Sequence, residues 1–273
     1  MNLLIHSMAE FESLILPVLD LVKPRHLVEI GSEHGGLTAL LSRWAVASDA
    51  RLTSVDPAPS PIFREWAATA QAFTHIEKPS LEAIGDLSDV DCWFIDGDHN
   101  WYTVYHELEL IAQQNARSAK PALIFLHDVG WPNARRDAYY CPERIPAEYR
   151  HEYSYDIGVT IDQGDLASGG WRGHGAFAWA THEHGPRNGV LTAIEDFAGA
   201  RGDEYALAVI PAVFGMAVLF STDAPWGVEL SQQLLPYHEH PLMAKLEENR
   251  LRNYLRVIEM QDAINAHRCN LGS

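Results

Sequence analysis

The chain has 273 residues, 47% of them apolar and 21% charged, enough for one large domain of ordinary globular composition. Its 37 acidic residues outweigh 20 basic ones for a formal net charge of −17, which argues against a nucleic-acid backbone as main partner. No run reaches the ~18 apolar residues of a membrane span, the opening MNLLIHSMAEFESL has no basic leader, and Cys92, Cys141 and Cys269 without a CxxC point to free thiols in a reducing, cytoplasmic setting.

Phe11, Leu14, Ile15, Val18, Leu19 and Val22 recur at helical spacing, which predicts an amphipathic helix ending before Pro24, with a kink or late start at Pro17. HLVEI (26–30) reads as a short buried strand broken by Gly31. A helix over 37–46 follows, then a second strand over 51–56 stopped by PAPSP. Residues 62–71 read as helix, FTHIE (73–77) as a weak strand, and 80–87 as a short helix or turn. CWFID (92–96) is a strand, 102–114 a helix, and ALIFL (122–126) another strand. Strands alternating with helices predict parallel pairing and helices on both faces of the sheet. Ligands of such sheets sit beyond the carboxyl ends of the strands. The polar clusters EIGSEHGG, SVDPAP, FIDGDHN and LHDVG all occupy those ends.

The glycine-rich turn after the first strand selects the cofactor. Its backbone N–H groups and the helix behind it allow close approach of a ligand. A dinucleotide turn, GxGxxG, needs glycine where Glu33 stands in Gly31-Ser32-Glu33-His34-Gly35-Gly36, and a carboxylate there repels a pyrophosphate. The turn also lacks the GK[ST] ending of a P-loop. S-adenosylmethionine (SAM), with a sulfonium cation, an amino-acid end and a ribose, fits better. Gly31, Ser32 and Gly35 are expected at the amino-acid end, Glu29 and Glu33 toward the positive charge, and Asp56 on the ribose hydroxyls. Asp98 and His99 are expected to turn away and cap the next helix.

LVEIGSEHGGLTALL, SVDP and FIDGDHNWYTVYHELEL resemble the first, second and fourth strand motifs of class I SAM-dependent methyltransferases. The resemblance is strongest to the small-molecule O-methyltransferase branch that includes catechol, macrolide-sugar and aminocoumarin-sugar enzymes. It covers about residues 25–130, and GVLTAIEDF with a later strand pair extends it to about 220. It implies a Rossmann-like α/β fold, mostly parallel with a closing antiparallel strand, plus an inserted lid and a C-terminal helix. It also implies that Asp96, His127 and Asp128 hold Mg²⁺, with Asp96 near the SAM methyl, and that Ser80 contacts adenine. His127 departs from the branch, whose metal-dependent members carry an acid there. Nitrogen suits Mn²⁺ better than Mg²⁺, and His127 serves equally as a base or as a residue bonded to backbone.

Residues 131–187 are rich in Gly, Pro and aromatics without helical period, and read as an irregular lid over the acceptor. Trp131, Arg135, Arg136, Tyr139 and Tyr140 are its candidate substrate contacts, and His174 a candidate base. A helix over 188–200 and strands at YALAVIP and GMAVLFS close the core through residue 222. The tail, 230–267, carries a helix over 241–264 whose Leu251, Tyr254, Leu255 and Ile258 stripe packs on the core or pairs two chains into a homodimer. The whole reads as a single domain that methylates a hydroxyl of a small natural-product or sugar-like acceptor with divalent-metal assistance. The alternatives are an N- or C-methyltransferase with a metal-free His/Asp base, and a non-catalytic SAM-binding protein.

Overall fold

The computed structural model describes residues 4–271, with side chains up to residue 267. Cys269 therefore lies outside the described side chains, while Cys92 and Cys141 are free thiols. The first half alternates as expected: α1 (Glu12–Val22), β1 (His26–Ile30), α2 (Gly36–Ala47), β2 (Arg51–Val55), α3 (Pro61–Ala67), β3 (Phe73–Ile76), α4 (Ser80–Ala83), β4 (Cys92–Ile95), α5 (Trp101–Ser118) and β5 (Leu123–His127). The segment after β5 carries five short strands, β6 (Ala138–Tyr139), β7 (Tyr153–Ser154), β8 (Gly158–Thr160), β9 (Gln163–Ala167) and β10 (Ala178–Ala180). Then come α6 (Val190–Gly199), β11 (Tyr205–Ile210), β12 (Met216–Ser221), α7 (Gly227–Leu234) and α8 (Pro241–Leu271).

Seven strands form one sheet in the order β11-β12-β5-β4-β1-β2-β3. β1 to β5 pair parallel, and β12 runs antiparallel to both β5 and β11. β1, β4 and β5 are buried along their whole length, as strands covered on both faces must be. Alternate side chains feed two cores. Leu27, Phe94 and Phe125 pack with Ile15 and Leu19 of α1 and Leu37 and Leu41 of α2. Val28, Trp93, Ile95 and Ile124 pack with Leu108 and Ile111 of α5 and Ile194 and Phe197 of α6. This period of two places Glu29 on the α2 side, where Thr38 meets it.

Three elements differ from the sequence reading. The helix expected over 62–71 ends at Ala67 because Thr69 folds its hydroxyl back onto the Trp66 carbonyl at 3.1 Å. Residues 227–234 form an unexpected helix, α7, whose buried side chains are Leu230 and Leu234. The lid is not irregular: β6, β10 and β7 make a three-stranded sheet, and β8 and β9 a hairpin. Ala138, Val159 and Trp179 give it a small core of its own.

The α8 stripe packs within the chain. Leu251 joins Phe214 and Leu4 in one cluster, with Tyr254 against it. Arg172 of the lid grips Asp262 at 2.6 and 2.7 Å, and Arg252 meets Asp162 at 2.8 Å. Leu242, Leu246, Met260 and Ile264 are the large apolar residues α8 leaves exposed. No helix among the described residues is long and apolar enough to cross a membrane.

Candidate active site

The turn after β1 is folded against the ends of its neighbours. Gly31 has φ +86°, and a Cβ there would lie 2.2 Å from the Asp96 carbonyl oxygen, so only glycine fits. Its N–H donates to the Val55 carbonyl at 2.9 Å. Asp56, just past β2, holds the turn: Oδ2 accepts from the Ser32 and Glu33 amides at 3.0 and 2.8 Å, and Oδ1 from the Ala58 amide at 2.8 Å. Oδ1 retains a free lone pair, which is what a ribose hydroxyl requires. Gly35 caps α2 in the left-handed region. Glu33 does not face inward; its side chain is exposed, 3.5 Å from that of His34.

Glu29 is fully buried, and its one hydrogen-bond donor is the Thr38 hydroxyl at 2.6 Å. Burial, reinforced by nearby Asp96 and Asp56 and only partly offset by Thr38, pushes its carboxyl up to about 8. A cation is the natural partner for such a group. Ser80 is buried at the start of α4. Beside it stands Glu107 of α5, which no sequence signal marked: it is wholly buried, neither oxygen has an aligned hydrogen bond among the described residues, and burial, only partly offset by Ser80, pushes it up to about 8.

The ends of β4 and β5 meet in a four-residue cluster. His99 Nε2 lies 2.9 Å from Asp128 and 3.6 Å from Asp96, and His127 Nδ1 lies 3.2 Å from Asp96 and 3.6 Å from Asp128. The His99–Asp128 contact is a close ion pair rather than an aligned hydrogen bond. Asp128 has φ +58°, the left-handed conformation that turns the chain at this strand end. The His127 ring is 1% exposed, whereas Asp96, Asp128 and His99 are 21%, 15% and 14% exposed and reachable.

His127 donates Nε2–H to the Val213 carbonyl at 2.8 Å and Nδ1–H to Asp96, so both ring nitrogens carry protons. Burial opposes that charge, but Asp96 and Asp128 outweigh it and raise the ring to about 9. Asp96 is the mirror case: burial pushes it up, yet His127 and His99 hold it at about 2. For His99, too, burial is outweighed by Asp128 and Tyr140, and the ring is raised well above its ordinary value. Two carboxylates and two imidazolium rings thus balance one another.

Several expectations are corrected here. His127, expected as a metal ligand, has Nε2 on the Val213 carbonyl and Nδ1 on Asp96, and its atoms are not in the converging set. The atoms within 4.8 Å of one another, close enough to share one cation, belong to Asp96, His99 and Asp128. His99 does not cap α5; Asn100 does, accepting the Thr103 amide at 2.9 Å, and Asp98 instead meets the Thr103 hydroxyl at 3.4 Å. His174 is exposed in a lid turn and has no partner in the cluster. Arg136 is buried on the Ala180 and Gly164 carbonyls, and Arg135 pairs with Glu195 at 2.5 and 2.8 Å. Tyr139 is buried, and the Trp131 ring packs tilted against that of Trp171, 6.2 Å between centroids. Of these lid residues Tyr140 reaches the cluster: its ring, about half exposed, lies 5.8 Å from that of His99. The Asp-x-x-His spacing of Asp96 and His99 was the visible signal for the second histidine.

Residues 28–129 match a family model described as a methyltransferase domain. The matched segment runs from β1 to just past β5 and so holds the glycine turn, Asp56 and the Asp96–Asp128 cluster. No curated protein matches it in sequence. Among solved structures it is similar to an S-adenosylhomocysteine-bound methyltransferase from Podospora anserina, at 15% identity, 80% of each chain and a TM-score of 0.48. It is also similar to an O-methyltransferase from Bacillus cereus in complex with S-adenosylhomocysteine, at 15% identity, 79% of this chain and 81% of that one, and a TM-score of 0.46. A third is a Burkholderia thailandensis 1,6-didemethyltoxoflavin N1-methyltransferase, at 13% identity, 78% and 77% coverage, and a TM-score of 0.44.

Proposed function

We propose that the chain is a class I SAM-dependent methyltransferase that transfers the SAM methyl group to a hydroxyl of a small-molecule acceptor, with His99 as the base. The observation that carries this reading is the convergence of Asp96, His99 and Asp128 at adjacent strand ends, directly against the Gly31 turn. Methyl transfer from a sulfonium is an in-line displacement on carbon, so the protein's part is alignment and removal of one acceptor proton. Gly31, Ser32 and Gly35 hold the amino-acid end of SAM, Glu29 faces its positive charge, Asp56 Oδ1 takes a ribose hydroxyl, and Ser80 lies toward adenine. The acceptor proton passes to Nε2 of His99 once the ring, charged beside Asp128 at rest, has released its own proton to solvent. His127, pinned by Val213, keeps Asp96 in place.

The donor set fits Mg²⁺. Two partly exposed carboxylates with room for water are what that ion ordinarily takes, and removing His127 from the ligand set removes the objection of a nitrogen ligand. Asp96 and Asp128 would hold it, with His99 Nε2 within reach. When bound, such an ion lowers the pKa of the acceptor hydroxyl. Tyr140, just past β6 of the lid, would stand beside this cluster on the acceptor side. A homodimer through α8 would use the exposed Leu242, Leu246, Met260 and Ile264.

The test is release of S-adenosylhomocysteine from SAM with matched acceptor pairs, catechol against aniline and a methyl glycoside against its amino-sugar analogue, with Mg²⁺ present. Turnover of the hydroxyl members by at least about tenfold over the amines is expected, because a base and a cation activate a hydroxyl and give a neutral amine no comparable help. Faster amine methylation would move the reading to nitrogen. SAM binding without release from any member would make the chain a sensor.

A further inference from the structure

Asp137 lies wholly buried, nine residues past the cluster, yet its carboxylate sits where two helices begin. Oδ1 accepts the Trp101 amide, the first of α5, at 2.8 Å. The same oxygen accepts the amide of Gly189, the N-cap of α6, at 2.7 Å. Oδ2 accepts the Tyr139 hydroxyl at 2.8 Å. Two helix N-termini therefore share one negative charge, an arrangement favoured by their dipoles. The backbone extends the grip: Ala138 donates to the His99 carbonyl at 2.8 Å, and Asp137 donates to the Asn188 side chain at 2.8 Å. Residues 137–138 thus hold the chain on both sides of Asn100, at His99 and at Trp101, and tie that point to the lid's exit. Gly189 allows the approach; a Cβ there would lie 2.5 Å from the Ala134 carbonyl oxygen. Three residues on from Asp137, the Tyr140 ring flanks the His99 ring.

We infer that Asp137 is a positioning residue that sets the place of His99 by fixing the backbone at Trp101 and, through Ala138, at His99 itself. The catalytic meaning of that placement rests on the reading of His99 as the base. A residue that merely stabilised the fold would loosen both histidines of the cluster equally. One that positions His99 would loosen His99 alone, because His127 is held by separate bonds to Val213 and Asp96.

The experiment is site-resolved labelling of the full chain with diethyl pyrocarbonate, read by peptide mass spectrometry, with exposed His182 as internal reference. In Asp137→Ala, His99 is expected to label about tenfold faster or more, on the scale of losing two hydrogen bonds, with His127 unchanged. In Asp137→Asn, which keeps an oxygen for both amides, His99 should label at the wild-type rate. Asp137→Ser reaches at most one of the two amides and takes the place of the alanine variant should that one not fold. Equal acceleration at His99 and His127, or none at His99, would overturn the inference. S-adenosylhomocysteine affinity is measured alongside by calorimetry. Its absence in the wild type would end the functional reading while leaving the labelling comparison intact.

Discussion

Asp96→Asn is expected to lower turnover by on the order of 10³-fold while SAM affinity stays near wild type. The carboxylate accepts from His127 and faces His99 3.6 Å away, so it sets the charge of the cluster rather than the shape of the cofactor turn. Its main-chain bond to Ile30 survives the substitution. An amide cannot balance two imidazolium rings, and His127 loses the partner that keeps it charged. A stability loss of about 1.5–3 kcal/mol at neutral pH follows for a hydrogen bond between charged groups. The pH dependence carries a sign. His127 is raised from 6.5 to about 9 on folding, so its stabilisation is complete below pH 6.5 and is lost as pH rises through 9. Glu29 and Glu107, both raised to about 8, also cost stability as pH rises above 4.5. The wild-type melting temperature should therefore fall between pH 6.5 and 9. The difference between wild type and Asp96→Asn should shrink over the same window, because it isolates the histidine contribution. A constant difference would mean that His127 does not carry its proton from this carboxylate.

His99→Gln is expected to lower turnover by about 10²–10⁴-fold, the usual contribution of a positioned base, and to make Mg²⁺ affinity independent of pH. In the wild type the proton on His99 and a cation compete for Asp96 and Asp128. Where the ring is charged, each bound ion displaces one proton, so affinity should rise by up to about tenfold per pH unit. Exhaustive chelation should silence the enzyme and Mg²⁺ restore it. Calorimetric titration of Mg²⁺ at several pH values, on both proteins, measures the competition. A wild-type affinity that does not change with pH would separate the ion from His99. Full turnover in chelator with an inactive His99→Gln would leave the histidine as the sole catalyst.

The sheet was legible because β1, β4 and β5 are covered on both faces, which forces unbroken apolar runs ending in polar turns. Gly31 and Asp56 were legible for the same reason: a strand end and a turn are local features. The contacts of the two histidines were not. His99 looked like helix-cap chemistry because Asn100 follows it, and only the pairing of β4 with β5 brings it to Asp128. His127 looked like a ligand because it precedes Asp128. Its second nitrogen is taken by Val213, 86 residues on, in a hairpin loop where Val213 itself has φ +45°. The lid strands, two to five residues each, are too short to show a period, and their order rests on anchors such as Asp137 and Arg172.

Titration of S-adenosylhomocysteine into the protein by calorimetry, in two buffers of different ionisation enthalpy, tests the account most directly. The buried Glu29 carboxyl, at about 8, is mostly protonated at pH 7, and the ligand's ammonium group favours its ionised form. Binding should therefore release up to about one proton in wild type and none in Glu29→Gln. Asp56→Ala should lose about 1.5–3 kcal/mol of binding. Binding of NADH, with no heat from S-adenosylhomocysteine, would contradict the account.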